Sequence, residues 1–130
     1  MIQVEEIKKL SQSIFPMVKA FREDMHMHPE LAFEENRTAK NIAAKLKEWD
    51  IPFETGIAKT GIVAILKGKN PDSKVIALRG DIDALPIKEQ NDVPYKSTTE
   101  GLMHACGHDV HTSSLLGTAW ILKQLQNEWK

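Results

Sequence analysis

The chain has 130 residues, 42% of them hydrophobic and 27% charged, the composition of a folded globular protein and not of a disordered, collagenous or membrane-embedded one. That length allows at most one compact domain. Lys and Arg number 17 against 18 Asp and Glu, the formal net charge is -1, and the two signs are interspersed; with no basic surplus to neutralise phosphates, nucleic acid is not an expected partner.

The N-terminus, Met1 to Leu10, lacks the basic-then-apolar order of a signal peptide, and no apolar run approaches the roughly 20 residues that cross a bilayer. The expectation is therefore a cytoplasmic protein without a membrane partner. From Val4 to about Met25, apolar residues recur at three- and four-residue steps (Val4, Ile7, Leu10, Ile14, Met17, Val18, Phe21, Met25), which predicts an amphipathic helix that Pro16 could kink or split. Pro29 disfavours helix at His28 and marks a connection, in which His26 and His28 read as solvated turn residues. A second helix is predicted over roughly Glu34 to Trp49, with Thr38, Ile42, Leu46 and Trp49 on its apolar side.

After Ile51-Pro52-Phe53 the period changes. The β-branched run Gly61 to Leu66 and the similar run Lys74 to Arg79 predict two buried strands, and the turn residues of 67–73 join them as a hairpin. A long irregular stretch follows from Lys88 to Gly107, and a loop of that length in so short a chain implies function. A last helix begins near Asp109 to Thr112 and carries Leu115, Leu116, Ala119, Leu122 and Leu125. The order helix, helix, strand, strand, helix indicates an α/β layer, but two strands buried on both faces make a poor sheet and call for missing partners.

Two clusters can do chemistry. Met103 to His111 places one thiol, three imidazoles and a carboxylate close together; in Cys106-Gly107-His108 an extended segment would project both donors to one side, with Gly107 able to bend the backbone. Thiolate and imidazole suit zinc and other borderline divalent metals, although two ligands do not complete a site. Cys106 is the only cysteine, so no internal disulfide forms, and its histidine neighbours favour metal over a buried structural thiol. The second cluster, Arg79-Gly80-Asp81-Ile82-Asp83, lies at the C-terminal end of the second predicted strand, where open α/β sheets place catalytic groups, and its two carboxylates stand two positions apart. Trp49, Trp120 and Trp129 lie on helical faces and read as core or interface. The tripeptide Arg79-Gly80-Asp81 follows an apolar strand and is not read as an integrin ligand.

These residues resemble the metallo-amidohydrolases of the aminoacylase, hippurate hydrolase and indole-acetyl-amino-acid hydrolase type, related to the dimetal carboxypeptidases. The resemblance runs from Arg22 to His26, Pro29 to Leu31, Glu34-Glu35 and Thr60-Gly61 to its most specific parts, Arg79 to Ile87 and Gly101 to His111. It implies an incomplete α/β fold: residues 1–130 as the N-terminal segment of a mixed-sheet dimetal peptidase-like catalytic domain, with the lid and dimerisation domain and the rest of the catalytic domain absent. By position, Cys106 and His108 would be metal ligands and Asp83 the catalytic-site carboxylate that orients a ligand or the base. Asp81, His104, Asp109 and His111 would stand behind the ligands or on the substrate side. Gly80 stands where the family usually has alanine.

The implied cofactors are two divalent ions drawn from zinc, manganese, nickel or cobalt. The implied activity of the full-length protein is hydrolysis of the amide bond of a small N-acyl amino acid, with a homodimer as the implied assembly. Family members draw the general-base glutamate and further ligands from sequence with no counterpart before Lys130, where Glu128 is the only acidic residue after Asp109, so the chain alone is expected to be inactive. The alternatives are a non-catalytic metal-binding fragment, a half-enzyme needing a separate C-terminal partner, and a dipeptidase or carboxypeptidase of the same superfamily. The Cys106-Gly107-His108 pair argues against the last.

Overall fold

The computed structural model describes residues 2–129. Three helices and one hairpin follow in the order α1 (Val4–Met27), α2 (Asn36–Glu48), β1 (Phe53–Ile57), β2 (Gly61–Ala64) and α3 (His108–Gln124). Among the described residues β1 and β2 form a two-stranded antiparallel sheet, and elsewhere only isolated bridges occur, Leu31 parallel to Ala84 and Leu85 antiparallel to Met103.

The helices form where their apolar spacing predicts them. α1 runs unbroken through Pro16 and continues two residues beyond Met25, to the position at which Pro29 begins to disfavour helix. His26 therefore belongs to the last turn of α1 and is 3% exposed, so it is not the solvated turn residue expected from the sequence. α2 lacks a side-chain cap of its own; the carboxylate of Glu30 supplies one from outside the helix, accepting hydrogen bonds from the amides of Arg37 (2.9 Å) and Thr38 (2.7 Å) and from the Thr38 hydroxyl (2.7 Å). The core unites Ile42 and Leu46 of α2, Ile51 from the connection that follows it, and Leu116 of α3, flanked by Phe21, Trp49, Phe53 and Ile62.

The strands differ from expectation. The hairpin pairs β1 with β2 across Ala58-Lys59-Thr60, and β1 had no predicted counterpart. Ala58 and Lys59 both adopt positive φ (48° and 82°), a conformation usually taken by Gly or Asn, so the turn carries none of the usual sequence marks. The run Lys74 to Arg79 is not in a ladder, and Val75, Ile76 and Leu78 are 89%, 73% and 57% exposed instead of buried. β2 is likewise only half covered, with Val63 exposed. No described helix is long and apolar enough to cross a membrane.

Leu46 is 3% exposed at the centre of the core. Its truncation to alanine should lower unfolding free energy by about 2–5 kcal/mol, through lost apolar transfer and the cavity left behind, as read from the midpoint of urea denaturation.

Candidate metal centre

Gly107 takes φ +90°, a left-handed conformation that strains any residue with a Cβ, and the chain turns there directly into α3. Cys106 thus lies just outside the helix and His108 is its first residue, so the pair sits on a bend and not on the extended segment expected. Cys106 is exposed with a free thiol. His108 is held from behind: its Nδ1 lies 3.0 Å from both the backbone oxygen and Oδ1 of Asp83. The other ring nitrogen, Nε2, is 4.0 Å from Asp81 Oδ2, beyond hydrogen-bond reach.

The two aspartates are positioned by separate contacts. Asp83 precedes the Ala84 bridge, whose amide donates to the Glu30 carbonyl at 2.8 Å. The backbone oxygen of Asp81 accepts a 2.6 Å hydrogen bond from the Thr112 hydroxyl, while its carboxylate accepts from Arg79 at 2.6 Å. Between them and α3 the backbone passes so closely that a Cβ on Gly80 would sit 3.3 Å from Leu115 Cδ2 and 3.4 Å from Thr112 Cα, which explains why only a very small residue suits this position. A cavity of about 300 Å3 opens beside Asp81 and Asp83, walled in part by Ala32, Phe33, Ile57 and Ala58.

Of the residues singled out in the sequence, Asp81, Asp83 and His108 are therefore brought together. His111 is exposed, with its ring centroid 6.2 Å from that of His108. His104 and Asp109 are buried, at 4% and 0% exposure, on the inner side of the loop. Among the described residues no group of three or more His, Cys, Asp and Glu side chains is arranged to hold a metal. The donors present still fit one in kind: a free thiol, and an imidazole whose Nδ1 is engaged by a carboxylate while Nε2 has no hydrogen bond.

Behind this pair lies a buried charge network that the sequence does not announce. His26 Nδ1 is 2.7 Å from Asp109 Oδ2, and its Nε2 is 3.0 Å from Glu89 Oε1. Arg22 Nε donates to the same Asp109 oxygen at 2.8 Å, and its guanidinium lies 4.8 Å from the Tyr95 ring centre. Glu89 also accepts from the Ser97 amide at 2.6 Å and from the Asn91 side chain at 3.2 Å. Burial pushes the Glu89 carboxyl up, but the Ser97 amide, the His26 ring and the Asn91 amide together hold it below the ordinary carboxylate value. Neither ring nitrogen of His104 has a partner, nor does Asp109 Oδ1. Burial lowers the His104 pKa, which Asp109 opposes and the neighbouring His26 and His108 reinforce.

The chain is similar to known proteins in sequence and in fold. Residues 77–130 match the peptidase family M20/M25/M40. The chain is 50% identical over 110 residues to an N-acetylcysteine deacetylase of Bacillus subtilis, covering 84% of this chain and 29% of that protein. It is 41% identical over 120 residues to a thermostable carboxypeptidase of Saccharolobus solfataricus, covering 92% and 30%. A crystal structure of a Bacillus subtilis protein described as a dinuclear metal binding peptidase from the M20 family superposes with a TM-score of 0.84 at 46% identity, over 88% of this chain and 32% of that one. The chain thus spans about 30% of the length of the proteins it matches.

Both depressed pKa values bear on stability in the metal-free protein. A group whose folded pKa lies below its unfolded value contributes stability that is present above the unfolded pKa and lost as pH falls towards the folded one. Stability should therefore decline in two stages, below about pH 6.5 from His104 and below about pH 4.3 from Glu89, taking ordinary unfolded values. Urea denaturation across pH should show the first stage removed in His104→Leu and the second diminished in Glu89→Gln; an unchanged profile in both variants would contradict this assignment. Residues 77–130 thus carry the sequence signature of the M20/M25/M40 peptidase family, and the chain is similar in fold to about a third of a structure described as a member of the M20 family.

Proposed function

We propose that residues 1–130 form part of the catalytic domain of a metal-dependent amidohydrolase that cleaves the amide bond of N-acyl amino acids. The observation that carries the reading is the contact of Asp83 with His108 Nδ1 beside the free thiol of Cys106. A carboxylate there fixes the tautomer and raises the basicity of the opposite nitrogen, which is how histidine ligands are commonly prepared. Cys106 and His108 would hold divalent metal, with zinc, manganese, nickel or cobalt as candidates and two ions in the complete site. When bound, such ions polarise the amide carbonyl and lower the pKa of a water towards neutrality.

The chain's own residues then have distinct tasks. Asp83 orients His108, and Asp81 lies on the other side of the same ring. Asp109 and His104 support the bend from the buried side, while exposed His111 faces the substrate approach. The cavity beside Asp81 and Asp83 has apolar walls and a volume suited to a small acyl group. The general base and the remaining ligands come from further polypeptide carrying the rest of the catalytic domain and a lid. Two observations support that division: the chain spans about 30% of its relatives, and Val75, Ile76 and Leu78 are exposed where a sheet partner would cover them. The reading also carries a cytoplasmic location, a small-molecule substrate and a homodimer of the complete protein, with no part for nucleic acid or membrane.

Equilibrium dialysis against zinc tests the ligands. Cys106→Ala and His108→Ala should each weaken binding by at least about tenfold, and Asp83→Asn by about 10–100-fold; binding unchanged in all three would remove the metal assignment. The purified 130-residue chain should not turn over N-acetyl or N-benzoyl amino acids measurably, since a missing positioned acid-base group alone costs about a hundred- to ten-thousand-fold. Measurable hydrolysis by the pure chain would show that this division of the site is wrong.

A further inference from the structure

His26 belongs to none of the roles above, yet it is among the most constrained side chains in the molecule. It is 3% exposed, and each ring nitrogen faces a carboxylate oxygen: Nδ1 lies 2.7 Å from Asp109 and Nε2 3.0 Å from Glu89. Arg22 Nε donates to the same Asp109 oxygen at 2.8 Å, so Asp109 and Glu89 are both held by partners reached from α1. Three segments converge on the one imidazole. His26 lies in the last turn of α1, Glu89 opens the long loop and is itself bound to the Ser97 amide, and Asp109 is the second residue of α3.

Asp109 directly follows His108 and stands three positions after Cys106. Its carboxylate is wholly buried in the first turn of α3, where the helix dipole favours negative charge. Whatever fixes Asp109 thereby fixes where α3 starts and how the bend at Gly107 presents its thiol and imidazole. We propose that His26 is a positioning residue for the Cys106 and His108 pair, acting through Asp109 and held on its far side by Glu89. It touches neither donor; it sets the geometry from which both project. A displacement of about 1 Å in such a support is enough to weaken a site whose ligands are otherwise intact.

The inference rests on the metal reading of Cys106 and His108, and titration with cobalt(II) separates the two. Thiolate-to-cobalt charge transfer in the near ultraviolet reports ligation by Cys106, the chain's only thiol. The unmodified protein is compared with His26→Gln, Glu89→Gln and Leu46→Ala, the last a core truncation that controls for lost stability. The expected result is the charge-transfer band in the unmodified protein, cobalt binding about 10–100-fold weaker in His26→Gln, and unchanged affinity in Leu46→Ala. Unchanged affinity in a folded His26→Gln protein overturns the proposal, and so does an equal loss in Leu46→Ala, because affinity would then follow global stability. If His26→Gln does not fold, Glu89→Gln decides: a several-fold loss supports the role and wild-type affinity overturns it. Absence of the band from the unmodified protein defeats the metal reading itself, and the positioning role with it.

Discussion

The Asp109 carboxylate is the point on which the arrangement of this chain depends. It is fully buried, and a buried carboxylate is tolerable only where cations and donors replace the water it has lost. Arg22 and His26 supply them from α1, which ties the first helix to the start of the last across more than eighty residues of sequence. Glu89 extends the tie into the long loop between Asp83 and Cys106. The irregular part of the chain, with little ladder pairing beyond the Leu85–Met103 bridge, is thus anchored in large part by these side-chain contacts.

That anchoring explains what the sequence revealed and what it hid. The three helices were legible because their apolar spacing and the proline after His28 act locally. Asp81, Asp83, Cys106 and His108 were legible as clusters because each pair lies two positions apart, and three of the four do converge. His26, Glu89 and Arg22 were not, since their partners are 63 to 87 positions away and no local pattern marks the pairing. Pro29, three residues after His26, suggested a solvated connection; tertiary contacts place the ring in the interior instead. The hints available were that Arg22 to His26 falls within the family resemblance and that a loop as long as Lys88 to Gly107 implies function.

The sheet was misjudged for a different reason. Apolar β-branched runs imply burial only if the partners that bury them are present, and Lys74 to Arg79 has none among the described residues. The hairpin that does form was hidden by its turn, where Ala58 and Lys59 take a conformation that their side chains disfavour. Strain of this kind persists when surrounding structure imposes it, and here the turn edges the cavity beside Asp81 and Asp83. Glu30 is the converse case: an acidic residue in an unremarkable loop that satisfies the first amides of α2 because Pro29 and the Leu31 bridge hold it in place.

The uncovered run through Val75, Ile76 and Leu78 also governs how the molecule behaves in bulk. An apolar β-branched segment with free backbone donors and acceptors is a template for edge-to-edge stacking between copies, the chemistry from which fibrils and inclusion bodies grow. Lys74 and Arg79 bracket it; Arg79 is paired with Asp81, and Lys74 is the gatekeeper, a charge that like neighbours must bring together before strands can register. Stacking between copies therefore competes with the repulsion of the charge flanking this run, a repulsion that salt screens.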